Sequence, residues 1–464
     1  MFVEVNEIKC FILNIDGFFR YPELPKLPRD KVWSVVDDDV LDKIELLPEL
    51  TKLIDIIKNK YPFRFVSKLS RKQIVTICSN NSFPINPDHI FTADDEFEKG
   101  ILFFEPIKRA RDDMNMLSCY SIYITTVGDT VNKAFMLHMG SIVFMYSSDM
   151  SLEEEKNIYK TGADFIIDNP EDLKMILDNE FIGHLSEVEA CPDDMAPYTP
   201  GKKRYIQFLE VPNEDVPDNK IFVGGRYFPW EDSRHNKHPL SVRLTNSKRC
   251  PERHLEVFSH ILKYSAERVS DGKYDLITRV PPKPLQAGDR LKMYLERIPA
   301  EFSKFDKSKI APDILRCIRD YAPQKEAGSY DNRKRNVEGA FEVVGDVSGK
   351  TIVVVDDVTT SGATLYEITR ILLEAGCKKV YPVALALTVT EKVTNGDFKL
   401  RCDKCNGQLV PRCGKTKGYV FWGCENIKDK KEHSMMKFSE GVKVLNERTS
   451  PPARDIPEDI DIPF

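Results

Sequence analysis

Ile352-Val-Val-Val-Asp-Asp-Val-Thr-Thr-Ser-Gly-Ala-Thr364 is the stretch that decides the fold of this 464-residue chain. The β-branched run at residues 352–355 predicts a parallel strand covered on both faces. Asp356 and Asp357 follow at its carboxyl end, where open α/β sheets bind ligands. A helix is expected to begin in the hydroxyl-rich turn after them and to run on through residues 365–373. Because a helix N-terminus attracts phosphate, the stretch indicates a site for a ribose 5-phosphate.

This stretch resembles the motif with which type I phosphoribosyltransferases bind 5-phosphoribosyl pyrophosphate (PRPP). The resemblance implies that Asp356 and Asp357 hold the ribose 2- and 3-hydroxyls. It also implies that the loop holds the 5-phosphate, through Thr359, Thr360, Ser361, Gly362, Ala363 and Thr364. The alternative is an ordinary strand, turn and N-capped helix, because Asp and Thr are common helix caps.

A second match, over residues 206–392, is to the ComF-like branch of that family. It rests on Gln324, Arg333, Arg335, Asn336, Val337, Gly339, Ala340 and Phe341. Asp275-Leu-Ile-Thr-Arg-Val-Pro-Pro-Lys-Pro284 occupies the place of the family's pyrophosphate loop.

The resemblance implies that Lys283 and Arg279 meet pyrophosphate oxygens and that Arg333 or Arg335 closes over them, since Arg suits bidentate phosphate contacts. A solvated basic loop is the alternative for each of them. One stretch departs from the family: Gln286-Ala-Gly-Asp-Arg290 replaces the usual Arg-Gly-Phe-Asn-Gln, which leaves the acceptor site open.

The expected function is a phosphoribosyltransferase that uses PRPP and Mg²⁺. Departure of pyrophosphate leaves an oxocarbenium-like ribose, so the site must bind the leaving group's charge and exclude water. The sequence does not name the acceptor, and a base, an amine and a nucleic acid all remain open. The competing hypothesis is a non-catalytic adaptor that senses PRPP or a nucleotide and binds both single-stranded DNA and a replication or repair partner.

The C-terminal cysteines have the spacing of a zinc site. Cys402 and Cys405 form an x₂ pair, and Cys424 and His433 follow after a hairpin, which suits tetrahedral Zn²⁺. Cys413 is the rival of His433 for the fourth position. The stretch resembles the zinc ribbons at the C-termini of bacterial type I topoisomerases, although those normally end in a fourth Cys.

Local charge around this ribbon favours nucleic acid. Residues 396–448 carry twelve Lys or Arg against seven Asp or Glu, whereas the whole chain has a net charge of −6. Aromatic platforms beside a cationic groove suit single-stranded DNA, and the candidates are Tyr419, Phe421 and Trp422. The alternative is that these rings form the core of a ribbon too small to have another one.

The last residues are predicted to be a disordered acidic tail. Their end resembles the tip of bacterial single-stranded-DNA-binding proteins, which docks into pockets on replication and repair enzymes. The resemblance implies a partner-binding role for Asp461, Ile462, Pro463 and Phe464. A solvated tail is the alternative.

The N-terminal part predicts a doubly wound sheet whose motif order resembles the haloacid dehalogenase superfamily. The motifs are Phe11-Ile-Leu-Asn-Ile-Asp-Gly17, Ile74-Val-Thr-Ile-Cys-Ser-Asn80, Val127-Gly-Asp-Thr130 and Gly162-Ala-Asp-Phe-Ile-Ile-Asp168. Three residues that the superfamily's chemistry requires are replaced in this chain. Asn14 stands in place of the nucleophilic Asp, Lys133 replaces an acid and Glu105 replaces a basic residue. We therefore expect no phosphatase activity, and a ligand-sensing or dimerising role is the preferred interpretation.

The fold class is therefore α/β: two doubly wound α/β domains plus a small zinc ribbon. The expected organisation is a degenerate dehalogenase-like domain (1–180), a linker (181–205), the transferase domain (206–392), the ribbon (397–447) and the tail (448–464). Within the transferase domain we expect strands at 221–223 and 241–244 and a helix around 254–266.

Composition sets the remaining expectations. The chain is 41% hydrophobic, which suffices for ordinary cores, and no apolar run reaches the length of a membrane span. Eleven cysteines without a secretory signal favour reduced thiols and a cytoplasmic protein. The ComF-like, zinc-ribbon and tail resemblances together imply a setting in bacterial DNA metabolism: uptake, repair or defence.

Overall fold

The computed structural model describes most of the chain. The described residues are 8–20, 38–92, 104–126, 128–146, 150–178, 181–195, 205–212, 216, 219–286, 288–322, 329–393, 399–414, 419–428 and 432–449. The predicted tail residues Asp461, Ile462, Pro463 and Phe464 lie outside them, as does Gln324.

The first layer is a six-stranded parallel sheet, called here the N-terminal sheet, in the order β5-β4-β1-β6-β7-β8. Its central strand is buried at all five positions, as expected for a strand covered on both faces. The strands are β1 (Cys10–Asn14), β2 (Phe19–Arg20), β3 (Glu45–Leu46), β4 (Phe63–Ser67), β5 (Ile90–Thr92), β6 (Ser121–Thr125), β7 (Gly140–Phe144) and β8 (Phe165–Ile167), with β2 and β3 forming a separate pair.

Six helices flank this sheet. Two begin with a capping box, in which a Ser side chain accepts from the third helical N–H and a Gln or Glu bonds back. The helices are α1 (Pro48–Ile57), α2 (Arg71–Asn80), α3 (Phe104–Asp113), α4 (Val131–Met136), α5 (Leu152–Tyr159) and α6 (Pro170–Asp178).

The second layer, called here the central sheet, has the order β11-β12-β18-β17-β14, with β13 also paired to β18. Apart from the antiparallel β11, its strands are parallel. The strands of this region are β9 (Phe181–His184), β10 (Tyr205–Gln207), β11 (Leu209–Val211), β12 (Ile221–Val223), β13 (Arg226–Tyr227), β14 (Leu276–Arg279), β15 (Leu315–Cys317), β16 (Phe341–Val343), β17 (Thr351–Thr359) and β18 (Lys379–Thr388). The α/β class predicted from the sequence is confirmed.

Helices flank the central sheet as well, and among them α9 and α12 pack on opposite sides of β17 and β18 as members of separate cores. These helices are α7 (Leu185–Ala190), α8 (Pro239–Ser247), α9 (Leu255–Ser270), α10 (Arg290–Glu301), α11 (Tyr330–Val337) and α12 (Ala363–Glu374). The predicted helix around residues 254–266 is therefore present as α9.

The third unit is an antiparallel ribbon, β19 (Leu400–Arg401), β20 (Gln408–Cys413), β21 (Val420–Cys424) and β22 (Met435–Lys437), followed by α13 (Phe438–Thr449). Its core is Trp422, fully buried and stacked on Phe438 with ring centroids 5.6 Å apart. Val242 of α8 belongs to the same apolar cluster, so the ribbon packs on the central unit.

Two sequence-based predictions of local structure differ from the fold. Residues 241–244, expected as a strand, lie in α8, where Pro239 occupies the first turn and the His238 ring caps the helix. Residues 181–205, expected as a linker, contain β9 and α7, and Leu185 and Val188 are buried. The described part of this segment, residues 181–195, is held at the junction between the two sheets by contacts such as that of Glu187 with Arg226, and is therefore ordered by tertiary packing.

The N-terminal and central sheets share one apolar cluster. Val131, Phe135 and Ile158 from the first unit pack in the same cluster as Ile221 and Tyr366 from the second. The two sheets are therefore parts of one packed structure in the described residues.

A buried charge cluster reinforces this junction. The Arg226 guanidinium bonds both Glu187 carboxylate oxygens at 2.8 Å, the carbonyls of Gly162 and Ala163 at 3.0 Å, and Asp164 at 3.3 Å. Burial alone would raise the pKa of Glu187, but Arg226 holds it well below its usual range. The cluster joins β13, α7 and the segment before β8 through fully satisfied polar groups.

None of the helices in the described part of the chain is long and apolar enough to cross a membrane.

Candidate phosphoribosyl and metal sites

The motif at residues 352–364 begins on β17, the second strand from one edge of the central sheet, and continues into α12. β17 pairs in parallel with β14 on one side and β18 on the other, and residues 352–355 have no exposed surface. The carboxyl end of β17 runs into the turn before α12. Gly362 in that turn has φ of +82°, and a Cβ there would lie 2.5 Å from Ile221 and 2.8 Å from the Tyr366 ring. Only Gly fits this turn without strain.

The two acidic residues lie side by side at this edge. The backbone N–H of Asp357 donates to a carboxylate oxygen of Asp356 at 2.8 Å, and Asp357 forms an ion pair with Arg290. Burial raises the pKa of Asp356 from 3.8 to about 7, while Arg290 acts in the opposite direction. A pair of carboxylates at the carboxyl end of a parallel strand can accept hydrogen bonds from the hydroxyls of a bound sugar.

Arg290 is a site residue that the sequence analysis did not identify. It is the first residue of α10, whose N-cap Asp289 accepts from the backbone N–H of Lys292 at 3.0 Å. It lies in the stretch that departs from the ComF-like pattern, and that departure was the signal that could have pointed to it. Burial lowers the pKa of Arg290, and the charges of Tyr294 and Asp356 oppose that effect only in part.

Two basic side chains of the predicted pyrophosphate loop, Arg279 and Lys283, lie in different environments. Arg279 is buried and already bonded to Asp289 at 2.6 Å and to Asp313 at 3.4 Å, so it braces the loop. Lys283 donates to the carbonyl of Tyr321 and lies 4.3 Å from the centroid of that ring. Burial, with the nearby Asp356 charge, raises the pKa of Tyr321. Lys283 and Asp356 therefore share Tyr321 as a neighbour.

The other two predicted cations lie on α11. Arg335 is exposed and bonds within its own helix, to the Asp331 carbonyl at 3.4 Å and the Asn332 side chain at 3.0 Å. Arg333 is half-buried on the same helix. Their closure over pyrophosphate stays a prediction.

The four predicted zinc ligands meet in the ribbon. One ligand atom from each of Cys402, Cys405, Cys424 and His433 lies within 4.8 Å of the others. Backbone N–H groups donate to three sulfurs at 3.3–3.4 Å, which suits thiolates. The Ser434 side chain and backbone lower the pKa of Cys402 to about 5.

Cys413 does not join this group of four. Its side chain is buried where β20 faces the central unit, and the Arg253 guanidinium donates to its carbonyl at 3.2 Å. Burial raises the pKa of the Cys413 thiol to about 11. The side chain therefore belongs to the contact between ribbon and central unit.

The three aromatic rings predicted to stack on nucleic acid have different environments, and the assignment of Trp422 is wrong. Trp422 is fully buried, and its indole N–H donates to the Phe438 carbonyl at 3.1 Å, so it forms the ribbon core and cannot stack on a base. Tyr419 is 53% exposed and its ring centroid lies 5.4 Å from that of Phe421. These two rings remain candidates.

At the carboxyl end of β1, two residues of the first degenerate motif bond to residues of, or next to, the neighbouring strands β6 and β4. Asn14 donates to the Thr125 hydroxyl at 3.3 Å and accepts from the backbone N–H of Asp16 at 3.1 Å. Asp16 accepts from the Ser67 hydroxyl and from the backbone N–H of Lys68. Burial raises its pKa to about 6. Asn14 carries a neutral amide at this edge of the sheet. Because an amide is not a nucleophilic carboxylate, Asn14 cannot form an aspartyl phosphate.

Comparison with known proteins bears on the central unit. Residues 313–409 match the phosphoribosyl transferase domain family. The ribose-phosphate pyrophosphokinase of Vibrio vulnificus (strain YJ016) is 33% identical over 86 residues, which are 17% of this chain and 27% of that protein. The enzyme of the same name from Burkholderia pseudomallei (strain K96243) is 25% identical over 169 residues, 34% of this chain and 49% of the relative.

A third relative is the DNA utilization protein YhgH of Escherichia coli (strain K12). It is 42% identical over 57 residues, 12% of this chain and 25% of that protein. The chain thus spans less than half the length of each of these three relatives.

Two solved structures resemble the N-terminal part. One is a conserved haloacid dehalogenase-like protein of unknown function from Agrobacterium tumefaciens, at 11% identity and a TM-score of 0.31, covering 37% of this chain and 98% of that one. The other is a haloacid dehalogenase family hydrolase from Deinococcus radiodurans, at 8% identity and a TM-score of 0.32, covering 37% and 95%. The interpretation of the N-terminal unit rests on its own strand order and motifs.

The raised pKa of Asp356 predicts a pH-dependent stability change. The carboxyl ionises near 3.8 when unfolded and near 7 when folded, so its contribution to stability is complete below about pH 4 and is lost as the pH rises to about 7. Asp356→Asn replaces the carboxyl with a neutral amide and therefore removes the loss of stability that ionisation causes. We expect it to stabilise the protein by about 2 kcal/mol at pH 8 and by progressively less towards pH 5.

Thermal unfolding at several pH values checks this expectation. The exposed Asp346→Asn is the matched control and should give no such trend. A stabilisation by Asp356→Asn that grows as the pH falls would contradict the expected sign.

Proposed function

We propose that this chain is a phosphoribosyltransferase that uses PRPP and Mg²⁺. The observation that carries the proposal is the position of Asp356 and Asp357 at the carboxyl end of β17, directly before the phosphate-binding turn into α12. The match to the phosphoribosyl transferase domain supports it. In this proposal the two carboxylates accept the ribose hydroxyls, and the N–H groups and hydroxyls of residues 359–364 hold the 5-phosphate.

The chain's own groups favour loss of pyrophosphate. The carbon–oxygen bond at the anomeric carbon breaks and its electron pair leaves with pyrophosphate, while an acceptor's lone pair forms the new bond. Lys283 lies on the predicted pyrophosphate loop, where its charge meets the leaving group. Asp356 and Asp357 stabilise the positive ribose electrostatically.

The residues present suit Mg²⁺ as the substrate's companion. Mg²⁺ prefers oxygen ligands, keeps several waters and commonly binds through substrate phosphates. The carboxylates of Asp356 and Asp357 provide hard oxygen atoms beside the position of those phosphates. When bound, the ion would neutralise charge that develops on pyrophosphate.

Arg333 and Arg335 are proposed to close over the pyrophosphate from α11. The ComF-like assignment is part of this proposal, and the match to YhgH, whose name refers to DNA utilization, supports a setting in bacterial DNA metabolism. The partner-binding role of the tail residues 461–464 stays a prediction.

We also propose that the ribbon binds Zn²⁺ through Cys402, Cys405, Cys424 and His433. Three thiols and an imidazole within 4.8 Å suit a closed tetrahedral site, in which the ion is structural. The rival assignment of Cys413 is not supported, because that thiol is buried elsewhere in the ribbon.

The second candidate function is an adaptor that binds PRPP or a nucleotide and single-stranded DNA without catalysis. The strand register of the ribbon favours it, because Phe421 lies directly between Arg412 on β20 and Lys437 on β22. A ring flanked by two cations suits a stacked base and its phosphates. Pyrophosphate formation distinguishes the two candidates, since only the transferase releases it.

Cys424→Ser tests the ribbon. We expect bound zinc to fall from about one ion per chain to none, because a four-ligand structural site loses its geometry with one ligand. Binding of a fluorescent oligothymidylate should weaken about tenfold as the strands around Phe421 lose their order. Metal analysis and fluorescence anisotropy measure the two effects.

Cys413→Ser is the matched control for the ribbon, since it removes a thiol outside the four-ligand cluster and should keep its zinc. A Cys424→Ser variant that remains fully loaded with zinc would refute the ligand set.

A further inference from the structure

A buried lysine of the N-terminal unit lies beside the helix that follows the turn at residues 359–364. Lys156 on α5 is 8% exposed, and its Nζ lies 5.7 Å from the centroid of the Tyr366 ring on α12. An ammonium group within about 6 Å of an aromatic ring is attracted to its face, and more strongly where water is excluded. This contact therefore joins the N-terminal unit to the first turn of α12.

The same aromatic ring packs against the turn itself. A Cβ placed on Gly362 would lie 2.8 Å from Cζ and 3.0 Å from Cε2 of Tyr366, so the backbone of the turn is in close contact with the ring. The backbone N–H of Tyr366 also donates to the Gly362 carbonyl at 2.9 Å. The conformation of the turn therefore depends on where this ring lies.

The hydroxyl of Tyr366 fixes the position of the ring. The residue is buried, and its hydroxyl donates to the Pro212 carbonyl at 2.6 Å. Pro212 follows β11, the edge strand of the central sheet. Because leaving a buried polar group without its partner costs free energy, this bond favours one placement of the ring.

The lysine is held in place by its own helix. Ser151 and Glu154 form a capping box at the start of α5, and Ile158 and Tyr159 are buried in the apolar cluster that the two sheets share. Close-packed interiors transmit a displacement rather than absorb it. Lys156 therefore places a fixed positive charge beside the Tyr366 ring.

The same helix also contacts the segment on the other side of the turn. The Thr360 hydroxyl donates to the hydroxyl of Thr388, the last residue of β18, at 3.1 Å. Two residues later the Thr390 N–H donates at 3.1 Å to the carbonyl of Lys160, which caps the C-terminus of α5. One short helix of the N-terminal unit thus reaches the structures on both sides of the turn.

We propose that Lys156 and Tyr366 are positioning residues for the turn at residues 359–364, so that affinity for a 5-phosphate depends on the N-terminal unit. The inference rests on the proposed function, in which this turn holds the 5-phosphate of PRPP. Both side chains act through the turn, because they keep its N–H groups and hydroxyls directed at one point. A misplacement of about 1 Å in such a site can cost up to about a hundredfold.

The test measures binding of ribose 5-phosphate, PRPP and inorganic pyrophosphate, each with Mg²⁺, to the full chain by titration calorimetry. We expect Lys156→Met to weaken ribose 5-phosphate and PRPP about tenfold, because only these two ligands carry the 5-phosphate. Pyrophosphate affinity should change less than about twofold. Lys156→Arg keeps a cation beside the ring and should restore most of the lost affinity.

A second variant tests the ring without changing a charge. Tyr366→Phe keeps the ring and removes the hydrogen bond to the Pro212 carbonyl. It should weaken ribose 5-phosphate and PRPP about fivefold and leave pyrophosphate binding unchanged.

Lys263→Met is the matched control. Its ammonium group lies 4.6 Å from the Tyr264 ring centroid and 4.7 Å from that of Phe302. Because α9 packs on the opposite side of β17 and β18 from α12, this variant removes the same type of contact away from the turn. All three affinities should remain those of the wild type.

Separate outcomes distinguish failure of this inference from failure of the proposed function. If the wild type binds ribose 5-phosphate and Lys156→Met binds it within about twofold as well, the inference alone is overturned. Equal weakening of all three ligands in Lys156→Met, or a reduced number of binding sites per chain, would indicate a general loss of structure and would also overturn it. Wild-type protein that binds neither ribose 5-phosphate nor PRPP would refute the proposed function, and this inference with it.

Discussion

Replacing Asp356 and Asp357 together with Asn is expected to weaken PRPP binding about a hundredfold or more and to abolish turnover. Each carboxylate is proposed to accept charge-assisted hydrogen bonds from ribose hydroxyls, worth about 1.5–3 kcal/mol each, and the amides lose most of that energy. Titration calorimetry with PRPP and Mg²⁺ measures the change.

The control for this double variant is Asp346→Asn, an exposed carboxylate outside the site, which should bind PRPP normally. Zinc content should be unchanged in both variants, since the four-ligand cluster belongs to the ribbon. Unchanged PRPP affinity in the double variant would refute the ribose assignment.

Arg226→Met is expected to cause the largest loss of stability. The substitution keeps an unbranched chain of similar length but leaves Glu187 and Asp164 buried without their cation. Breaking a buried ion pair in this way costs about 3–5 kcal/mol. For a chain of this length the loss corresponds to a fall of roughly 3–5 °C in the unfolding midpoint.

The same variant tests whether the two sheets unfold together. Because the N-terminal and central sheets share an apolar cluster, we expect one calorimetric transition in the wild type and a split or early loss of the N-terminal sheet in Arg226→Met. Arg316→Met, at an exposed ion pair with Glu342, is the control and should change the midpoint little. An Arg226→Met midpoint equal to that of the wild type would show that the cluster does not stabilise the junction.

The junction also constrains how the N-terminal unit is interpreted. Asn132 of α4 bonds the Glu391 side chain, and the Thr390 N–H donates to the Lys160 carbonyl at 3.1 Å. These contacts are made by the segment that follows β18, next to the turn at residues 359–364 that is proposed to bind phosphate. The N-terminal unit therefore braces the edge of the central sheet on which the proposed PRPP site lies.

The local sequence pattern was sufficient to predict an element where a short run of its residues is buried. The run at 352–355 predicted a covered strand, and β17 is that strand, because four consecutive β-branched residues fit only a two-sided environment. The helix after Gly362 followed from the same stretch. The spacing of Cys402, Cys405, Cys424 and His433 likewise predicted that these side chains converge, since a small hairpin fixes their geometry.

The errors arise where tertiary contacts decide. Residues 241–244 alternate in polarity like a strand, but Pro239 at the first turn and the His238 cap favour a helix. Glu187 and Arg226 are 39 positions apart, so nothing local predicts that a presumed linker is buried. Trp422 is aromatic and lies near cations, yet a ribbon of this size needs its ring as a core. Arg290 meets Asp357 only in the folded chain.

The most direct test of the central claim is pyrophosphate release from PRPP and Mg²⁺ by the purified protein, alone and with nucleobases, nucleotides or single-stranded DNA added. The account predicts release that depends on an added acceptor and is absent in the Asp356→Asn, Asp357→Asn double variant. Release that persists in that variant, or PRPP binding without release in the presence of every acceptor, would contradict it.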